Sequence, residues 1–259
     1  MAFNNLSKVV AAALATVALS GCASLASSDK NAPPIRINED PYPSTYAAYP
    51  SVPTLIRNAT IFDGEGGQFH GDILLADGVV NSITAVDAGI DTRAAAAPAG
   101  VQVIDGTGKF VTPGIIDVHS HLGDYPSPGV ESLSDGNEAT DPVRPEVWAE
   151  HSVWPQDPGF SRALINGGVT TLQILPGSAN LFGGRSVVLK NVPARTVQGM
   201  KFPGAPYGLK MACGENPKRV YGSKGNMPQT RMGNIALARA TWAKAMLPIR
   251  VCGIWLLLP

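Results

Sequence analysis

From Gly108 to Gly123 the chain reads GKFVTPGIIDVHSHLG. Behind a Thr-Pro-Gly turn and the apolar pair Ile115-Ile116 it sets Asp117, His119 and His121 at alternate positions. Alternate residues of a strand share one face at a rise of about 3.3 Å per residue, so the two imidazoles stand about 6 to 7 Å apart along the backbone. That spacing lets both reach a single metal ion. Neutral imidazole is the commonest protein ligand for zinc and related ions, and Asp117 shares the face, where a carboxylate can orient a ring N–H from behind. Taken alone, His-x-His is weak evidence for a metal, and two half-exposed strand histidines with no ligand are the commoner reading.

The flanking sequence supplies a fold context. Alternation in Leu55 to Phe62, the runs Ile73 to Ala76 and Val79 to Ile83 across Asp77-Gly78, and Val101 to Ile104 predict short strands. Asp-Gly between two such runs is a strong hairpin signal. After His121 comes a long loop, Gly123 to Pro158, rich in Pro, Asp and Glu. Within it, the spacing of Trp148, His151 and Trp154 predicts a helix over Pro145 to Val153 with a packed or rim-lining face, in preference to a metal role for His151. A short helix over Phe160 to Asn166, stopped by Gly167-Gly168, and an apolar strand over Val169 to Leu175 follow. Leu209-Lys210-Met211 reads as a further strand. Thr230 to Ala245 reads as an amphipathic helix capped by Thr230 and ended by Pro248. Met246 to Pro259 is an apolar tail of no clear period.

Pro176 to Arg185 is glycine-containing, and glycine allows backbone amides to face an anion. It lacks the Gly-Lys-Ser/Thr ending of a nucleotide loop, so nucleotide binding is not expected. Twenty basic residues against twenty acidic ones give no electrostatic reason to expect nucleic acid as a partner. The three cysteines do not suggest a disulfide framework.

At the start, Lys8 precedes the apolar run Val9 to Leu19, which is too short for a bilayer span and matches the core of a signal peptide. Leu19-Ser20-Gly21-Cys22 resembles the lipobox of bacterial lipoproteins, in which the cysteine is lipidated; an ordinary secretory signal cut nearby is the alternative. Residues 1–22 are thus expected to be a processing segment and Cys22 a lipid anchor, placing the protein in the cell envelope, at the outer membrane or in the periplasm. Residues 23–52, rich in Ser, Pro and Ala, read as a tether. Tyr42, Tyr46 and Tyr49 are free to pack back onto the domain.

The run through His121, with Asn58 to Gly64, Asp72 to Gly78 and Val103 to Gly106 upstream, resembles the amidohydrolase superfamily. Pro176 to Arg185, Val188 to Asn191 and Gly208 to Arg219 resemble a secreted subgroup related to imidazolonepropionase. The resemblance implies an α/β chain: residues 53–112 as a small β-sandwich, incomplete because the family closes it with far C-terminal strands, then residues 113–245 as the N-terminal half of a (β/α)8 TIM barrel. It implies hydrolysis of carbon–nitrogen bonds other than peptide bonds in proteins, with a small-molecule amide substrate and one or two divalent metal ions, zinc foremost. His119 and His121 would hold the first ion. Lys210 is the candidate for the carboxylated lysine that bridges two ions in the family, with a packing lysine as the open alternative.

The same resemblance carries a conflict. The family also uses a histidine from each of the fifth and sixth barrel strands and an aspartate from the eighth as general base, and no histidine follows His151. The stretch after His119 is about half of what a complete barrel of about 250 residues takes. The expectation is therefore a shortened, inactive relative of a metal-dependent hydrolase. The other reading is a non-enzymatic surface lipoprotein, or a half barrel that pairs with a partner chain through an unfinished sheet edge.

Overall fold

The computed structural model describes residues 40–254 apart from 88 and 93–95, and the side chains of 247–254 are not among those described. Cys22 and the rest of the expected processing segment lie outside the described residues.

The first strands follow from the alternation and the turn chemistry. β1 (Thr54–Phe62), β2 (Gln68–Ala76) and β3 (Val79–Val86) form an antiparallel meander. Its second turn is Asp77-Gly78, with φ of 55° and 77°, the left-handed pair that a two-residue hairpin of matching twist requires. β4 (Gln102–Asp105) and β5 (Phe110–Val111) add parallel to β1, giving the order β3-β2-β1-β4 with β5 on β1. Ala59, Ile61 and Ile73 form the buried centre of this sheet, with Ile56, Phe69, Leu75 and Val111 packed around them. A bulge between Ile56 and Ala59 puts Asn58 at φ 56°. Its amide donates to Asp72 Oδ1 (3.0 Å) and its side chain meets Thr107 and His70. His70 is thereby occupied within the sheet.

The second region is built on a βαβ unit. β6 (Ile115–Ser120) pairs in parallel with β7 (Val169–Ile174), the strand expected next. Between them, α1 (Pro158–Gly167) starts at Asp157, whose carboxylate accepts from the Gly159 amide (2.9 Å), and ends at Gly168 in the left-handed conformation (φ 63°). β8 (Phe182–Arg185) and β9 (Val187–Lys190) follow; β9 joins β7 antiparallel, while β8 pairs antiparallel with β10 (Leu209–Met211). The core between these layers holds Phe160, Leu172, Ile174, Val187, Leu189, Val197 and Met200. α2 (Val197–Met200), α3 (Glu215–Gly222) and α4 (Arg231–Ile254) complete the described elements. The architecture is thus mixed α/β with three sheets, and no closed barrel is formed among the described residues. On β6, Ile115, Ile116 and Val118 are exposed at 53%, 66% and 68%, whereas strands of parallel sheets are ordinarily covered on both faces.

Two sequence expectations are corrected. Pro145 to Val153 is not a helix; only a single 3₁₀ turn forms, at Ala149–His151. The reason is tertiary. Trp148 is extended and bridges Arg185, and the following residue but one, Glu150, is drawn into a buried ion pair with Lys201 (2.7 Å), side chains 0% and 4% exposed. The expectation of a packed face does hold, with Trp148 and His151 in ring contact with each other and with Tyr42. The second correction concerns Pro248, which does not end α4: the helix runs to Ile254. Proline removes one amide from a helix and crowds the preceding turn, and here the helix continues past it. Thr230 caps its start, Oγ1 accepting from Gly233 N (3.0 Å).

Of the tether, residues 42–49 lie along β9 and α2. Lys201 Nζ donates to Tyr42 O (2.7 Å), Thr45 N to Gln198 O (2.9 Å), and Lys190 Nζ sits 4.8 Å over the Tyr46 ring. Tyr49 donates its hydroxyl to Pro193 O. No described helix is long and apolar enough to cross a membrane.

Candidate metal centre and the cavity beside it

β6 delivers His119 from its penultimate position and His121 just beyond its end. Their rings meet edge to face with centroids 5.3 Å apart. His121 Nδ1 lies 2.7 Å from Leu175 O. A carbonyl only accepts, so this nitrogen carries the proton and the Nε2 lone pair is left for a ligand. Burial pushes the His121 pKa down, the Leu175 carbonyl opposes this, and the charge of Lys210 and the nearby His119 add to the lowering. The neutral, ligating imidazole is the favoured form.

Lys210 comes from β10, far away in sequence, and joins them. Its Nζ lies 3.4 Å from His119 Nε2. The residue is 7% exposed, and burial lowers the amine pKa. Among the described residues, no carboxylate pairs with it. The three residues singled out from the sequence are therefore together in space. β10 reaches them through antiparallel pairing with β8. Asp117 holds the His119 main chain, Oδ1 accepting from the amide (3.1 Å). The support behind the His121 ring comes from the Leu175 carbonyl, which no spacing in the sequence marks.

Two accepting imidazoles and a buried amine with depressed basicity fit a divalent cation as a donor set. The set is small: among the described residues, no group of three or more His, Cys, Asp or Glu side chains gathers to hold a metal. His151 takes no part; it packs against Tyr42 and Trp148.

Two residues the sequence did not single out shape the loop behind this centre. Asp157, 4% exposed, caps α1 and also accepts from the amides of Gly123 (3.0 Å) and Ser127 (3.2 Å). One carboxylate thus ties the loop after His121 to the helix that follows it. Asp124 is fully buried; Ser152 Oγ donates to its Oδ1 (2.9 Å), and Oδ2 has no partner among the described residues. Burial, with Asp135 nearby, raises its pKa to about 7, and the Ser152 hydroxyl opposes the rise.

Beside His121 a cavity of about 320 Å³ opens, lined by Tyr125, Asn137, Ser178, Asn216 and Arg219 among others. Tyr125 stands edge-on to His121, centroids 5.9 Å apart, with its hydroxyl held by Asn137 Nδ2. Gly177 is required where these two meet, because a Cβ there would collide with both Asn137 Nδ2 and the Tyr125 hydroxyl. The glycine loop is no anion cradle. The Gly177 amide donates to Gly136 O (2.6 Å) and the Ala179 amide to Asn137 Oδ1 (3.0 Å).

No family model matches the chain. Amidohydrolase tasK of Hapsidospora irregularis is 35% identical over 227 residues, covering 78% of this chain and 22% of that protein. The dihydroorotase of Thermoanaerobacter sp. (strain X514) is 36% identical over 85 residues, 33% of this chain and 18% of the relative. Among solved structures, an amidohydrolase from Thermotoga maritima MSB8 superposes with a TM-score of 0.64 at 41% identity, covering 76% of this chain and 48% of that one. The chain thus spans about a fifth of these curated relatives and about half of the solved one. Over the part of its length that these matches cover, the chain is a member of the amidohydrolase superfamily.

Proposed function

We propose that this chain carries the metal-holding opening half of a hydrolase acting on carbon–nitrogen bonds of small amides. In this reading residues 113–245 form the first part of a (β/α)8 barrel and residues 53–112 part of a small β-sandwich. The observation that supports it most is the convergence of His119, His121 and Lys210, which lie on two separate strands, beside an open cavity. A divalent cation, zinc foremost, would supply Lewis acidity toward a carbonyl and a water molecule when bound. His121 would hold it through Nε2, with Leu175 fixing the tautomer. His119 would be the second imidazole donor. Lys210, kept from full basicity by burial, would serve after carboxylation of its amine.

In this reading the three donors, with no general base assigned beside them, hold a metal loosely and turn over little. The experiment is metal analysis of the purified full chain before and after dialysis, with activity on N-acyl amino acids and dipeptides. The expected result is a metal content that saturates on titration, falls on dialysis and is lost in His119→Ala, with negligible turnover. Two ions retained through dialysis together with amide hydrolysis would overturn the half-site reading, and no metal uptake at all would overturn the metal reading. We further propose export and lipidation at Cys22, which the lipobox supports.

A further inference from the structure

The cavity beside His121 has a charge pattern that no function assigned so far uses. Arg219, on the exposed side of α3, donates through Nε to Glu215 Oε1 (3.0 Å). Its two Nη groups have no partner among the described residues, and it is the one cation among the residues that line the cavity, with no acidic side chain among the linings. Asn216, one turn before it, donates through Nδ2 to Ser178 Oγ (2.7 Å). That leaves its Oδ1 to accept. His121 lines the same cavity.

We propose that this cavity is a subsite for the carboxylate of an N-acyl amino acid, and that Arg219 is its specificity-determining residue. The proposal rests on the hydrolase reading above and names its substrate class. A guanidinium takes a carboxylate through two parallel N–H donors, a geometry that two open Nη groups supply. The neighbouring amide N–H is met by Asn216 Oδ1, and the acyl carbonyl is directed toward His121, which lines the same cavity. About 320 Å³ lies at the lower end of the range for small-ligand pockets, the size of a single capped amino acid. A phosphoryl group is disfavoured: it needs several donors, and the loop amides that would provide them, Gly177 and Ala179, are already bonded within the protein. Glu215 keeps the guanidinium aimed along α3, since the pair is four residues apart on one helix face.

Arg219 acts on binding, so the test reads binding. The affinities of N-acetyl-L-leucine and its uncharged carboxamide, N-acetyl-L-leucinamide, are measured by calorimetry on the full chain, zinc-loaded and metal-free. The wild type is expected to bind the acid at least tenfold more tightly than the amide. Arg219→Gln should lose that preference while holding the amide within about twofold, and Arg219→Lys, which keeps the charge but not the fork, should fall between. Equal affinity of the wild type for acid and amide, equal loss of both ligands in Arg219→Gln, or displacement of the acid by equimolar inorganic phosphate would each overturn the proposal. Arg219 is largely exposed, so its variants should melt with the wild type; should Arg219→Gln not fold, Arg219→Ala takes its place and should lose the same preference. If the chain takes up no metal yet shows the Arg219-dependent preference, the hydrolase reading falls and the carboxylate subsite stands. If metal binds and the preference is missing, the subsite falls alone.

Discussion

Lys210 Nζ lies 3.4 Å from His119 Nε2, across 91 residues of sequence. An amine that kept its ordinary basicity would place a full positive charge beside the cation that the imidazole pair is proposed to hold. Burial lowers the lysine's pKa, which works against that charge, and the contact brings a nitrogen donor or its carboxylated form to the imidazole pair. Lys210→Met should keep the fold, because the strand position is buried and a methionine fills similar space. It should weaken metal uptake about tenfold or more, the scale seen when support around a metal site is lost, as read by zinc titration against a chromophoric chelator.

Asp157 joins three amides: Gly159 in the first turn of α1, and Gly123 and Ser127 in the loop after His121. Loss of an N-cap costs about 0.5–2 kcal/mol, and the buried Gly123 amide and the part-buried Ser127 bond lose their acceptor. Asp157→Ala is expected to destabilise by roughly 2–4 kcal/mol on these figures, and Asp157→Asn by less. Urea unfolding followed by tryptophan fluorescence measures it.

Asp124 makes stability fall as pH rises. Its folded pKa, about 7, stands above the ordinary carboxylate value of 3.8, so between about pH 4 and 7 the folded chain holds a proton that the unfolded chain has released. The contribution is full below about pH 4, lost through pH 7, and of the order of a few kcal/mol. Asp124→Asn removes that ionisation and should flatten this part of the stability profile. Denaturation midpoints at pH 5 and pH 8 check it, and an unchanged pH slope in the variant would refute the assignment.

Cys22→Ser tests the expected lipid anchor. Fractionation of cells producing the full chain should find the wild type with membranes and the variant in the soluble envelope fraction. Equal distribution of the two would remove lipidation from the account.

Much of the local structure was legible from the chain alone. The Asp77-Gly78 hairpin, the Gly168 stop of α1 and the Thr230 cap follow from backbone preferences of single residues, which act over one turn and do not depend on the rest of the fold. His119 and His121 were legible for the same reason: the alternation of a strand puts them on one side whatever surrounds it. The chain alone also carried Lys210 as a candidate, through resemblance and not through any spacing. Only tertiary structure brought it to His119, because contact over that separation depends on how β10 is seated against β8. The same holds for Trp148 and Glu150, where helical periodicity lost to a strand bridge and a buried ion pair with Lys201, and for Leu175, Asp157 and Arg219. Their roles come from carbonyls, amides and open donors at chosen distances, and a linear pattern does not encode distance.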